Sequence, residues 1–150
     1  MKWLYTVISV FFLLVAQAQA EDGESIAVFY SSTSPVNIDV ALPSHITLKL
    51  YDLDLKDTSL KSLRMEVAKR VDHIYGQPGA KQKYSKAFSE LMNSSDWKPI
   101  YDDMEGGARA IGEAVRLKIQ KLPAVVINDK KVIYGVGSLK EAIKIYGIRG

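Results

Sequence analysis

Two short apolar runs limit what this chain can fold into. Ser25–Tyr30 (Ser-Ile-Ala-Val-Phe-Tyr) and Ala124–Ile127 (Ala-Val-Val-Ile) carry apolar side chains at consecutive positions. A half-exposed strand alternates apolar with polar, and a helix needs a longer segment. Short continuous runs of strand formers therefore read as strands covered on both faces. Such a sheet needs layers above and below it. The first run is followed by the loop signal Ser31-Ser32-Thr33-Ser34-Pro35. Pro35 is placed to open a brief helical turn over residues 36–42, which Pro43-Ser44 stops. Residues 46–50 alternate, with Ile46, Leu48 and Leu50 on one face, and predict a second strand. Asp52–Asp57 is the turn after it, and Asp57 or Thr58 can cap the next helix.

Three helical stripes succeed that turn. Leu60, Leu63, Val67, Val71 and Ile74 share one face, and Gly76-Gln77-Pro78-Gly79 ends that helix. Tyr84, Ala87, Phe88, Leu91 and Met92 form the second stripe. The third is Ile100, Met104, Ala108, Ile111 and Val115, with Pro99 suited to the first helical position. Gly106, Gly107 and Gly112 weaken that helix and mark close packing or a kink. The turn Asn128-Asp129-Lys130 joins Ala124–Ile127 to a strand run at residues 132–134, as in a β-hairpin. Ser138 with Glu141 is a capping box for a last helix bearing Leu139, Ala142, Ile143 and Tyr146, and Gly147 is its stop. This order implies an α/β fold: a central four-stranded mixed sheet flanked by helices, with a shortened first helix and a helical insertion in the middle.

Residues 1–20 read as an address. Lys2 precedes an apolar run shorter than the roughly 20 residues of a spanning helix, and Ala18-Gln19-Ala20 has the small-x-small form of a cleavage site. The expectation is a signal peptide at 1–20, one domain at 21–150, a periplasmic location and no membrane span after cleavage. Apolar residues are 47% and charged residues 25% of the chain, ordinary for a globular protein. The net charge is only +3, and it is spread along the chain, so no nucleic-acid surface is expected.

The chain has no cysteine, which removes disulfides, thiolate metal sites and cysteine nucleophiles together. His45 and His73 are the only histidines and lack a third ligand at zinc spacing. Asp102, Asp103 and Glu105 lack calcium-loop spacing and read as first-turn carboxylates favoured by the helix dipole. No P-loop, dinucleotide fingerprint or nucleophile elbow occurs. No metal, no cofactor and no catalytic residue are expected.

Pro123 stands immediately before the hairpin strand, in Lys121-Leu122-Pro123-Ala124-Val125-Val126. A proline there, facing the loop after the first strand, resembles the thioredoxin superfamily. That resemblance implies a cis Leu122–Pro123 bond and a groove in which an extended peptide can pair. At a finer level, Val28-Phe29-Tyr30 with Ser32, Ser34, Pro35 and Val36 is similar to an exported family encoded in integrating conjugative elements beside type IV secretion genes. So is Ala114…Leu117…Ile119-Gln120-Lys121-Leu122-Pro123-Ala124-Val125-Val126, followed by Val132-Ile133-Tyr134-Gly135. That family's pattern has Gly where this chain has Lys118 and Thr where it has Gln120, and the two blocks cover about a fifth of residues 21–150. The resemblance implies a role in conjugative transfer within the envelope, and no established reaction.

The expected partner surface is therefore Ser31, Ser32, Ser34 and Pro35 with Lys121, Leu122, Pro123 and Tyr134, and the expected partner is a protein of the transfer apparatus. Lys121 is a candidate for a partner carboxylate, and Tyr134 reads more simply as a ring packed on the sheet. Serine cannot carry the two-electron chemistry of a Cys-x-x-Cys pair. Two further readings of the same surface are a serine-based, glutathione-dependent enzyme and a holdase chaperone for pilus or channel subunits.

Overall fold

The computed structural model describes residues 24–75 and 79–147. The expected leader at 1–20 and residues 76–78 of the expected helix end lie outside these. Within them the strands are β1 (Ser25–Tyr30), β2 (Thr47–Asp52), β3 (Ala124–Ile127) and β4 (Lys131–Tyr134). The helices are α1 (Leu55–Asp72), α2 (Ala80–Met92), α3 (Trp97–Arg116) and α4 (Leu139–Tyr146). The sheet order is β2-β1-β3-β4. β1 runs parallel to β2 and antiparallel to β3, and β3 is antiparallel to β4. The architecture is α/β, with a four-stranded mixed sheet and four helices among the described residues.

The continuous apolar runs occupy the two central strands, where both faces are covered. Ile26, Val28, Val125 and Ile127 point to one side, with Ile46 of the segment before β2, Val136 of the connection after β4, and Leu139 and Ala142 of α4. Ala27, Phe29, Ala124 and Val126 point to the other, with Ala114 of α3. Phe29 stacks on Tyr51 at 4.8 Å between ring centroids. Asn128 and Asp129 hold positive φ angles (52° and 54°) in the three-residue β3–β4 connection, where the Lys130 N–H donates to the Ile127 carbonyl at 3.1 Å.

Four expectations are corrected. First, no helical turn forms over residues 36–42, so no shortened helix stands between β1 and β2 in the described residues. The Asn37 backbone is instead held by the start of α4: its N–H donates to the Gly137 carbonyl (2.9 Å), and its carbonyl accepts from the Leu139 N–H (2.8 Å). Second, β2 spans Thr47–Asp52 rather than residues 46–50, and Leu50, on the same face as Leu48, is 43% exposed at the sheet edge. Third, α1 begins at Leu55, so the residue at its N-cap is Asp54, not Asp57 or Thr58. Helix α3 likewise begins at Trp97, two residues before Pro99.

The fourth concerns which face of α3 is buried. Ile100, Gly107, Ala110 and Ala114 are inside, whereas Ala108 and Ile111 are exposed and Val115 is 73% exposed. Helix α1 lies so close at Gly107 that no side chain fits there, while Ala114 packs with Phe29 on the sheet. Asp102, Asp103 and Glu105 fall after the first turn of α3, where Lys98 and Arg109 hold Asp102 and Glu105 in one-turn ion pairs.

Candidate functional site

The loop after β1 is a tight reversal. The Ser31 and Ser34 backbones exchange hydrogen bonds (Ser31 N–H to Ser34 carbonyl, 3.3 Å; Ser34 N–H to Ser31 carbonyl, 3.1 Å). Ser31 is buried, and its hydroxyl meets that of Thr33 at 3.1 Å. Ser32 donates both its backbone N–H (2.7 Å) and its hydroxyl (2.5 Å) to one oxygen of Asp54. These two donors hold the Asp54 carboxyl below its ordinary pKa, the hydroxyl having the larger effect. Asp54 heads α1, so the pair clasps the serine loop to a helix start. Pro35 is exposed and Ser34 half-buried.

The second half of the site follows α3. Lys118 turns the chain with φ 55°, and the connection reaches β3 through a cis Leu122–Pro123 bond, the form the sequence resemblance implies. Tyr134 braces this connection, since its hydroxyl oxygen accepts from the Gln120 N–H at 3.3 Å. The Pro123 carbonyl accepts from the Gly135 N–H at 3.0 Å. Lys121 is exposed, Leu122 and Pro123 are half-buried, and Tyr134 is 41% exposed.

The sheet register brings the two halves together. The last pair between β1 and β3 is Phe29 with Ala124. Tyr30 and Ser31 run on from that pair and Leu122 and Pro123 lead into it, so the two segments lie at the same end of the sheet. Among the described residues, the Leu122 N–H and carbonyl have no backbone partner. The eight residues expected at the site thus form one end of the sheet, with Ser32 turned toward Asp54. Asp54 was not foreseen; it is 22 positions from Ser32 and reads locally as a turn residue.

Two clefts lie elsewhere. One of about 400 Å³ between α1 and α2 is lined by Leu63, Arg64, Val67, Ala68, Tyr84 and Phe88. Another of about 530 Å³ lies along the β2 edge, against Gly106 and Arg109 of α3. Tyr30 and Tyr51, which line the second, have pKa values pushed up, chiefly by burial. No group of three or more His, Asp or Glu side chains gathers as a metal site among the described residues. No helix among them is long and apolar enough to cross a membrane.

A family model described as "Protein of unknown function (DUF1525)" matches residues 49–148. The match spans β2 through α4, so it takes in Lys121–Pro123, Tyr134 and Asp54 and leaves out the serine loop. Comparison with curated proteins and with solved structures gives no match. On a match that covers two-thirds of its length, this chain belongs to the DUF1525 family.

Proposed function

We propose that this protein is a non-catalytic, envelope-located accessory component of a conjugative type IV secretion system, and that it binds another transfer protein through a thioredoxin-like scaffold without thiols. The reading rests on one observation: the cysteine-free Ser31–Pro35 loop lies beside Lys121–Pro123, where the Leu122 N–H and carbonyl have no backbone partner. Unpaired backbone groups beside a loop are what an extended peptide needs to add itself as a strand. The sheet order, with β1 and β2 parallel and β3 and β4 antiparallel, supports the thioredoxin-like assignment. The sequence blocks similar to the conjugative-element family support the setting, and the leader-like residues 1–20 support export.

A binding role fits the serine chemistry better than a transferase does. The Ser32 hydroxyl is already committed to Asp54, and a carboxylate held below its ordinary pKa is a poor base for activating it. Calorimetry with glutathione separates the two: binding predicts no heat, and saturable heat at millimolar glutathione favours the enzyme.

The direct test captures partners from envelope extracts with the wild-type protein and with Lys121→Glu. The expected result is recovery of a transfer-apparatus subunit with the wild type and its loss with the variant. Recovery of no such subunit, together with normal conjugation in a deletion strain, overturns the proposal. Capture of varied unfolded pilus or channel subunits moves the reading to a holdase.

A further inference from the structure

The sheet has two edges, and they are built differently. β4 is four residues long, its Lys131 ammonium lies over the Tyr146 ring at 5.1 Å, and Gly135 follows at φ 74°. A short strand, a lysine and a sharp turn are how natural sheets blunt an edge. β2 has six residues with no proline and no glycine, and Leu50 near its centre is 43% exposed. The phase of its ladder is fixed at both ends. The Thr47 N–H donates to the Glu24 carbonyl (2.8 Å), and the Leu53 N–H donates to the Tyr30 carbonyl (3.0 Å). In a parallel pair alternate residues bond to the neighbouring strand. Thr47, Lys49 and Tyr51 therefore turn their backbone groups toward β1, and Leu48, Leu50 and Asp52 turn theirs outward. None of these three has a backbone partner among the described residues. A regular outward row of N–H and carbonyl groups, on a strand roughly 20 Å long, is matched by another extended backbone.

We infer that the β2 edge takes up an extended segment of another protein as a fifth strand, and that this segment alternates acidic with apolar side chains. The preference follows from the two faces of the edge. By register, Lys49 and Tyr51 share the face of Ala27 and Phe29, on the α3 side, and Leu48 and Leu50 share that of Ile26 and Val28, on the α4 side. The cleft of about 530 Å³ runs along this edge, with Lys49, Tyr51, Gly106 and Arg109 in its lining. Lys49 is exposed and makes no ion pair among the described residues. It is the cation that a carboxylate on the added strand meets. Arg109 is tied to Glu105 in a pair whose two side chains are more than half exposed, so it adds little to the choice. Asp52 is the one carboxylate in the lining. It stands three residues from Lys49 and so on the other face, where it accepts from the Asp54 N–H at 2.9 Å. On that face an apolar side chain of the added strand covers Leu50. A second copy of this chain fits less well. Pairing two β2 edges about Leu50 sets the second copy's Lys49 opposite Tyr51, on the side that already carries Lys49 and Arg109, and its Asp52 opposite Leu48.

Amide NMR on the full chain tests this, with an acetylated and amidated peptide of about eight residues that alternates valine and glutamate as the probe. The expected result is saturable binding with the largest shifts at the Leu48, Leu50 and Asp52 amides. A valine–lysine peptide of the same length should bind at least about tenfold more weakly. Lys49→Glu should remove or reverse that preference, and its exposed side chain leaves the fold intact. Leu50→Pro deletes an outward N–H and spares the inward bonds of Lys49 and Tyr51, so it should weaken both peptides by about tenfold with unchanged circular dichroism. No saturation below about 1 mM peptide overturns the inference. So does equal affinity for the two peptides, an unchanged preference in Lys49→Glu, or shifts centred on Lys121 and Leu122 instead. A wild-type dimer in sedimentation equilibrium, with those three β2 amides protected from hydrogen exchange, overturns it as well, since a second copy then occupies the edge.

Discussion

Gly107 of α3 lies against the backbone of Lys56 at the start of α1: a Cβ on Gly107 would sit 2.4 Å from the Lys56 nitrogen. No flexible side chain can yield there, because the obstacle is main chain. Gly107→Ala must push the helices apart, and overpacking of that kind costs about 1–3 kcal/mol despite alanine's better helix propensity. Gly112, one helical face away, has nothing within 4 Å of its would-be Cβ. Gly112→Ala should therefore stabilise the fold by about 1 kcal/mol. Urea unfolding of the two variants reads the contrast, and equal effects would contradict this packing of α1 on α3.

The Ser32–Asp54 clasp predicts a pH response. Hydrogen bonds from Ser32 lower the carboxyl pKa in the folded chain, whereas an unfolded aspartate titrates near about 3.9. The folded group thus holds its proton more weakly, and its contribution to stability is complete above about pH 4 and fades as pH falls through the lower folded value. Glu66 is lowered as well, by Lys69 first and then Arg70, so a bulk acid-unfolding curve mixes the two. NMR titration of the Asp54 carboxyl isolates it. Ser32→Ala should move its midpoint up toward the ordinary value, since the hydroxyl bond is the larger cause and the backbone N–H remains. An unmoved midpoint would mean that the hydroxyl does not hold the carboxylate.

What was legible in the sequence was local. The apolar runs at Ser25–Tyr30 and Ala124–Ile127 became central strands because unbroken apolar stretches need cover on both sides. Ser138 and Glu141 marked a helix start that formed, since the signal lies within three residues. The misread face of α3 has a different cause. Hydrophobic patterning favours Met104, Ile111 and Val115, but the close approach of α1 excludes bulk at Gly107, and Ala114 is the residue that packs with Phe29 on the sheet. The Gly106-Gly107 pair was the available signal. The segment at 36–42 and the Asp54 clasp depend on contacts about 20 to 100 residues away, to which no local pattern points. At the site, the resemblance grouped the Ser31–Pro35 and Lys121–Pro123 segments, and the β1–β3 register joins them.

Ser138 connects the end of the chain to the loop after β1. Its side chain accepts from the Glu141 N–H at 3.2 Å, capping α4, and its backbone bridges Asn37. Ser138→Ala leaves that donor without its cap at a helix whose Leu139 and Ala142 are fully buried. The expected loss is about 1 kcal/mol, with Ser138→Asn or Ser138→Asp retaining most of the stability. Hydrogen exchange should quicken at both α4 and Asn37. Acceleration confined to α4 would indicate that the residue 36–42 segment is held independently of the cap.

Tyr134 and Lys121 separate support of the site from its use. The Tyr134 hydroxyl accepts one bond from the Gln120 N–H, and the ring is partly exposed, so water can replace the lost oxygen. Tyr134→Phe should cost about 0.5–1 kcal/mol. Lys121 makes no ion pair among the described residues and is exposed, so Lys121→Ala should leave stability within about 0.5 kcal/mol. Urea midpoints measured alongside partner capture then discriminate. If Lys121→Ala weakens capture at unchanged stability, the lysine contacts the partner directly. If capture instead falls with Tyr134→Phe in proportion to lost stability, the residue 117–123 connection must be held in place before it can recognise anything. If neither substitution changes capture, the partner binds away from Pro123.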